Sequence, residues 1–397
     1  MSGPTASPQV IVVGAGPVGL TCALVLARGG VSVTVLEAGP DLAAESRAST
    51  FHPPSLEMLA DLGVLDGLLE LGITSTTFQY RDRRTGPIAE LDLGVLSEDT
   101  PFPFRVQCEQ SKLTPILLAA LRELPGTQVV FGQQVTDVSD LDERPVVRTA
   151  SGETFTADWV VGADGASSAV RKATGAQFEG ITYPERFLVV STREDLEAAL
   201  PGIAAVNYVF DPEEWLVLLR TPEHWRILFP TDPASADALE TDPVRVQERL
   251  RGVADLGRDW DLLHASLYNV HQRVADRFRT GHVVLVGDAA HVNNPLGGMG
   301  MNSGLHDAVL SGWSLADLIG GTASLEDLDA VLAARREVAT SYVKAVTHDN
   351  WERLRESDEA ARIAYHDQLR ALAADTSSSR DYLLRTSMID SLRERTP

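Results

Sequence analysis

Glu37, Asp164 and Asp288 are carboxylates placed to meet a ligand, because each comes at or just after the end of an apolar, strand-like run. An acid at a strand end can accept from a ligand hydroxyl. Glycines accompany all three: Gly14, Gly16 and Gly19 precede Glu37, Gly165 follows Asp164, and Gly287 precedes Asp288. A glycine run entering a helix exposes backbone N–H groups and the positive end of the helix dipole, which suits an anionic or electron-rich group. The run 287–302, GDAAHVNNPLGGMGMN, is the fullest case. It has an acid near its start, Pro295 in its middle, and Gly297, Gly298 and Gly300 near a helix entrance. Such a loop holds a flat ligand by backbone rather than by side chains.

The elements that must position these residues are legible around them. Residues 283–286 read as a buried strand and 303–318 as a helix. Near the N-terminus, 9–13 is a β-branched run, followed by Gly14-Ala15-Gly16-Pro17-Val18-Gly19. An apolar helical pattern then runs through Leu20, Ala23, Leu24 and Ala27 to Gly29-Gly30, and the strand 31–36 ends at Glu37. Strand, glycine loop, helix, strand and acid together make GxGxxG a dinucleotide signature. Gly14 permits the tight turn, Gly16 lets a pyrophosphate approach, and Gly19 lets helix and strand pack. Glu37 would accept from a ribose 2′-hydroxyl and repel a 2′-phosphate, so the adenosine expected is unphosphorylated.

The spacing predicts a helix over 54–71, irregular strands and loops over 75–105, and a helix over 112–124 just after Gln107. Short strands follow at 129–131, 134–138, 146–149, 154–157 and 159–161. The last runs into GADGASSAVR, 162–171. Strand-like runs joined by proline-bearing turns between 181 and 275 read as an inserted antiparallel sheet. After 303 the chain reads as mostly helical, with a charged, solvated face over 348–372.

Composition sets outer limits. A formal net charge of −22 argues against nucleic acid and anionic membranes as partners. No apolar run reaches the roughly 18–20 residues that span a bilayer. The start of the chain does not resemble a secretory leader. Cys22 and Cys108 are far apart, so neither a metal site nor a disulfide framework is expected, and a reducing cytoplasm is the simplest compartment.

GAGPVG at 14–19, GADGASSAVR at 162–171 and GDAAHVNNPLGGMGMN at 287–302, in this order, resemble the single-component FAD-dependent aromatic hydroxylases, the group typified by para-hydroxybenzoate hydroxylase. The resemblance covers about residues 1–345. It implies an α/β fold: a Rossmann-like FAD-binding domain of the GR2 type from 1–75, 102–180 and 276–345. A substrate-binding β-sheet domain from 76–101 and 181–275 is inserted in it, and helices follow over 346–397. It implies that Gly14, Ala15, Gly16, Pro17, Val18 and Gly19 hold the FAD pyrophosphate and Glu37 the adenosine ribose. Arg47 and Gln107 would contact the diphosphate and ribityl region, and Asp288 a ribityl hydroxyl. Asp164 and Gly165 would lie near FAD and the transient NAD(P)H. Gly297, Gly298, Met299, Gly300, Met301 and Asn302 would line the flavin pyrimidine edge. The Pro295 carbonyl would lie by substrate and flavin.

The implied reaction is hydroxylation of a phenol or similar electron-rich ring by NAD(P)H and O2 through a flavin C4a-hydroperoxide. The cofactor does the hard chemistry, so few acid–base side chains are expected. The alternatives are a related FAD oxidoreductase (an epoxidase, a Baeyer–Villiger-type enzyme or an isoprenoid reductase) or a non-catalytic FAD-binding module. Tyr208 matches the family's substrate-touching sheet tyrosine. Arg220, or alternatively Arg226, lies near the position of its carboxylate-binding arginine. His52 and His224 are candidates to deprotonate a phenol or touch its ring, although each residue of this kind more often has a structural role. Asn294 stands where the family often has proline, and Asn293 and Asn294 either bond a ring substituent or cap the turn. The chain is expected to be a monomer or homodimer acting on a small aromatic substrate.

Overall fold

The computed structural model describes residues 9–44 and 48–393. Two sheets organise the chain. In the first, strands run in the spatial order Arg279–Thr280, Val283–Leu285, Trp159–Gly162, Val10–Val13, Val33–Leu36, Thr127–Val130. All neighbours are parallel except the short first pair. The central strands are buried along their whole length, as their unbroken Val/Ile/Leu runs require of a parallel sheet covered on both faces. Helix Pro17–Arg28 begins on Pro17, which fits a first helical position because its missing N–H has no role there. The long helix Met299–Gly320 lies against it. The approach is close: a side chain at Gly304 would collide with Val18, and one at Gly312 with Val25. That contact sets the two glycine loops side by side at one edge of the sheet.

The second sheet has eight strands, in the order His291–Val292, Leu262–Ala275, Phe178–Thr192, Trp225–Pro230, Leu216–Arg220, Val206–Phe210, Thr77–Asp82, Gly86–Asp92. It is antiparallel except where Val206–Phe210 runs parallel to Thr77–Asp82. The 75–105 stretch, expected as irregular strands and loops, supplies a hairpin that extends this sheet. One face packs on a cluster with Leu196, Val246 and Trp260; the other, carrying Phe78, Tyr80, Tyr208 and Phe210, packs on Leu296 and the C-terminal helices.

The expected 54–71 helix is two, Pro53–Asp61 and Leu65–Leu71, broken where Gly63 takes a left-handed conformation. The helix expected from 303 starts at Met299, after Gly298 at φ 67°. Helix Leu325–Glu337 continues through a π-helical turn, Val338–Val343, into Lys344–Leu354; Val338 and Val343 pack on Met299. The 348–372 stretch divides between that helix and Glu359–Ala374, whose Leu369 is buried against the second sheet. Among the described residues no helix is long and apolar enough to cross a membrane.

Candidate active site

The nucleotide cradle is built from the parallel sheet outward. The Glu37 carboxylate, at the end of its strand, accepts from the N–H of Ala15 at 2.7 Å and of Gly39 at 2.9 Å. It therefore fixes the glycine loop. In front of Gly16 there is open space, with nothing among the described residues within 4 Å of where a Cβ would stand. No side chain caps the helix that follows, so its first N–H groups face that space. Gln107 is fully buried. Its Oε1 accepts from Thr50 Oγ1 at 2.9 Å, while its Nε2 has no partner among the described residues. A buried amide donor without a partner is costly unless a ligand satisfies it. Asp288 is exposed on the short turn Gly287–Ala289. Asp164 accepts from Ser168 Oγ at 2.5 Å and from the N–H of Ala169 at 2.7 Å, capping the short helix Ala169–Ala173 next to Gly165. Arg171 joins this loop to 287–291 by donating to Ala166 O and Ala289 O. Arg47 lies outside the described residues. The open loop, uncapped helix and orphaned Gln107 donor fit an adenine dinucleotide such as FAD.

The 287–302 loop is anchored at both ends. Asp307, buried on the 299–320 helix, accepts from His291 Nε2 at 2.7 Å, from Gly287 N–H at 3.1 Å and from Arg335 Nε at 2.7 Å. Burial pushes the Asp307 pKa up, but His291 and Arg335 outweigh it and hold the carboxyl at about 2. At the other end the Asn302 amide donates to Thr50 O at 2.8 Å and Gly298 O at 2.6 Å, and accepts from His52 N–H at 2.9 Å. Both Asn302 donors are thus used by the chain, and the residue positions the loop through its side chain. Asn294 Oδ1 accepts from Leu296 N–H at 3.1 Å, and Asn293 Nδ2 donates to Asn294 O at 2.7 Å. Each amide thus makes one contact that caps the turn. The Pro295 carbonyl accepts from Gly298 N–H at 3.0 Å, closing the turn into the helix. No side chain caps that helix among the described residues, so the N-terminus at Met299, Gly300 and Met301 is available to a ligand.

His52 sits beneath this loop. Its ring Nε2 lies 2.9 Å from Gly297 O, which makes it the donor there; Nδ1 has no partner among the described residues. Burial, helped by nearby Arg105, pulls its pKa well below the ordinary histidine value, so the ring is neutral.

A narrow cleft opens between the loop and the second sheet. Phe78, Tyr80 and Tyr208 form one wall, Gly297 and Met299 the other, and Tyr382 with Asn350 covers it from the C-terminal helices. It is tight, with a cavity volume of about 10 Å³. Strand register builds the wall: Tyr80 pairs with Tyr208 across the parallel strands, and their rings stack at 5.4 Å. Tyr80 and Tyr382 hydroxyls meet at 2.6 Å. Burial raises the pKa of both phenols and of Tyr208, so all three are neutral. Arg105, from strand Arg105–Gln107, reaches the same cleft, its guanidinium 4.3 Å over the Phe78 ring.

Of the substrate candidates, Tyr208 lines this cleft; Arg220, Arg226 and His224 do not. Arg220 stands over Trp225 at 5.6 Å, on the sheet's far face. Arg226 is buried facing Tyr268 and Glu109. His224 Nδ1 lies 3.4 Å from Glu109, in an ionic cluster with Lys112 and Glu223. Sequence reasoning missed Arg105, Tyr80, Tyr382 and the Asp307–Arg335 pair. The period-two alternation of Phe78 and Tyr80 was a usable signal. For Tyr382, some 300 residues from Tyr80 along the chain, there was none.

A dinucleotide cradle on a parallel sheet, opening onto an aromatic cleft on a second sheet, defines a flavoprotein oxidoreductase architecture. Residues 7–346 match the family described as FAD binding domain. The chain is 35% identical over 382 residues to para-nitrophenol 4-monooxygenase of Pseudomonas sp. (strain WBC-3), covering 94% of each. It is 33% identical to 6-hydroxy-3-succinoylpyridine 3-monooxygenase HspB of Pseudomonas putida (strain DSM 28022 / S16), covering 94% of this chain and 96% of that one. The crystal structure of p-nitrophenol 4-monooxygenase PnpA from Pseudomonas putida DLL-E4 superposes with a TM-score of 0.92 at 30% identity, over 98% of this chain and 99% of that one. The chain belongs to the FAD binding domain family, among its FAD-dependent aromatic hydroxylases.

Proposed function

We propose that this chain is an NAD(P)H-dependent FAD monooxygenase that hydroxylates a phenolic or other electron-rich aromatic or heteroaromatic ring with O2. The observation that carries this reading is the aromatic cleft ending on Gly297 and Met299, the loop expected to hold the flavin ring. The names of the two relatives, a nitrophenol and a hydroxypyridine monooxygenase, support a hydroxyl-bearing ring as substrate.

FAD supplies the redox chemistry when bound, taking electrons from NAD(P)H and activating oxygen. The chain's part is to bind, orient and exclude water. The 14–19 loop and the start of the 17–28 helix hold the pyrophosphate, and Glu37 the adenosine ribose. Gln107 Nε2 and Asp288 meet the ribityl region, and Asp164 and Gly165 border the path of NAD(P)H. The uncapped N-terminus at Met299–Met301 favours negative charge on the flavin pyrimidine. Tyr208 orients the substrate ring. Tyr382 and the helices around it keep water from the reacting atoms, which the reaction requires if reduced oxygen is not to be lost as peroxide. We assign 1–75, 102–180 and 276–345 to FAD binding, 76–101 and 181–275 to the substrate, and 346–397 to the cover.

The test is direct. The purified protein should carry FAD, and phenols should accelerate its NAD(P)H oxidation with matching oxygen uptake. If no electron-rich aromatic stimulates oxidation, the reading is wrong.

A further inference from the structure

Arg105 is the most unusual charge in the molecule. It is buried, only 3% exposed, and no carboxylate pairs with it among the described residues. Its Nε has no hydrogen-bond partner there either. The titratable groups facing it are Tyr208, Tyr80 and Tyr382 from the wall and cover, and His52 from beneath the loop. All four are neutral, for the reasons of burial given above. Arginine does not shed its proton in a protein, so the charge stays. The bland alternative is that the Phe78 face and a hydrogen bond to the neutral Tyr208 hydroxyl satisfy it, but neither carries a counter-charge. A cation over a ring is a weak contact, smaller than the desolvation cost of a buried, unpaired guanidinium. No described residue supplies the counter-charge, and the space beside Arg105 is the cleft itself.

We propose that Arg105 binds the negative charge of an aromatic anion, so that the cleft takes its substrate as an aryl anion (a phenolate, or a ring bearing a carboxylate) and not as a neutral ring. This rests on the proposed function and adds the residue that selects the substrate by its charge. The aromatic wall receives the ring, Tyr208 lies against Arg105 and can donate to the same anionic oxygen, and Gly297 closes the far side. For a phenol the proton leaves to solvent on binding. An ionised ring oxygen raises electron density at its ortho and para carbons, where an electrophilic oxygen is accepted. Arg105 thus has two consequences, selecting the ligand and keeping it reactive.

The experiment titrates the FAD-loaded protein with p-nitrophenol, whose colour separates phenol from phenolate, across the pH range where the free ligand ionises. Benzoate serves as a second arm. On the unmodified protein the bound nitrophenol should titrate at least about one pH unit lower than the free ligand, which means about tenfold tighter binding of the anion. Arg105→Met should abolish that shift and weaken the anion at least about tenfold, with Arg105→Lys in between. Tighter benzoate than nitrophenol binding, also lost in Arg105→Met, would place the charge on a ring carboxylate and support the proposal equally. Bound nitrophenol with an unshifted ionisation overturns it, and this holds on the unmodified protein even if the variants fail to take up FAD. Unchanged anion binding in Arg105→Met with a changed flavin potential also overturns it, because Arg105 would then serve the cofactor. If neither ligand binds the unmodified protein, the proposed function fails as well, an outcome distinct from binding without an ionisation shift.

Discussion

Gly16 faces open space where a side chain would stand, so replacing it tests the cradle without disturbing the core. Gly16→Val should leave the apo fold and its melting temperature nearly unchanged. Its FAD affinity should fall about tenfold or more, ~1.4 kcal/mol, read from the visible-to-ultraviolet absorbance ratio of the purified protein. Full flavin retention would show that no phosphate approaches there. His306 gives a second residue-scale test. It is buried, with Nε2 3.2 Å from Ser55 Oγ, and burial together with Arg335 pulls its pKa down to about 3. A depressed histidine pKa means the unfolded chain takes up a proton that the folded chain refuses. That opposes folding as pH falls below the unfolded value of about 6.5, at about 1.4 kcal/mol per pH unit. His306→Gln removes the effect. The variant's stability relative to the unmodified protein should therefore improve by about 2 kcal/mol between pH 6.5 and pH 5, measured by urea melts. A difference independent of pH would mean that His306 is protonated in the fold.

Among the elements, the cover over the cleft depends on one carboxylate. Asp99, on the loop after the 3-10 turn Leu93–Leu96, accepts from Arg380 at 2.6 Å and 2.8 Å and from Arg393 at 2.9 Å. These arginines flank Tyr382, whose hydroxyl closes the cleft against Tyr80. Burial alone would raise the Asp99 pKa, but the two guanidinium groups carry it below the ordinary aspartate value. The latch is therefore intact at neutral pH and is lost as pH falls through that depressed pKa. Asp99→Ala should cost about 1–3 kcal/mol, speed proteolysis within 356–393, and divert NAD(P)H oxidation towards hydrogen peroxide. Unchanged proteolysis and coupling would show that the helices hold without it. The 287–302 loop is anchored differently, by Asn302 at one end and the Asp307–Arg335–His291 network at the other. Both anchors tie residues of the motif to partners outside it, Thr50 at one end and the Asp307–Arg335 pair at the other.

For the whole molecule, the division between what could and could not be read beforehand follows from locality. The parallel sheet was legible because Val10–Val13, Gly14–Gly19 and Glu37 form one continuous strand–loop–helix–strand–acid pattern. The second sheet was legible as strand-like runs joined by turns at 206–210, 216–220 and 225–230, whereas its Thr77–Asp82 edge was expected there only from the family resemblance. The cleft was least legible, because Tyr80, Arg105, Tyr208 and Tyr382 meet only through strand register and the return of the last helices. Arg105 carries no local sign of function; its burial without a counter-ion exists only in three dimensions. Arg220 and Arg226, judged by position along the chain, go to the far face and to the Glu109 cluster instead. The central claim is that this arrangement inserts one atom of O2 into an aromatic ring. The most direct measurement supplies the FAD-loaded protein with NAD(P)H, a phenol it binds and isotopically labelled O2, and weighs the product. One labelled oxygen per product ring is the expected result. Consumption of NAD(P)H with no labelled ring product from any phenol it binds would contradict it.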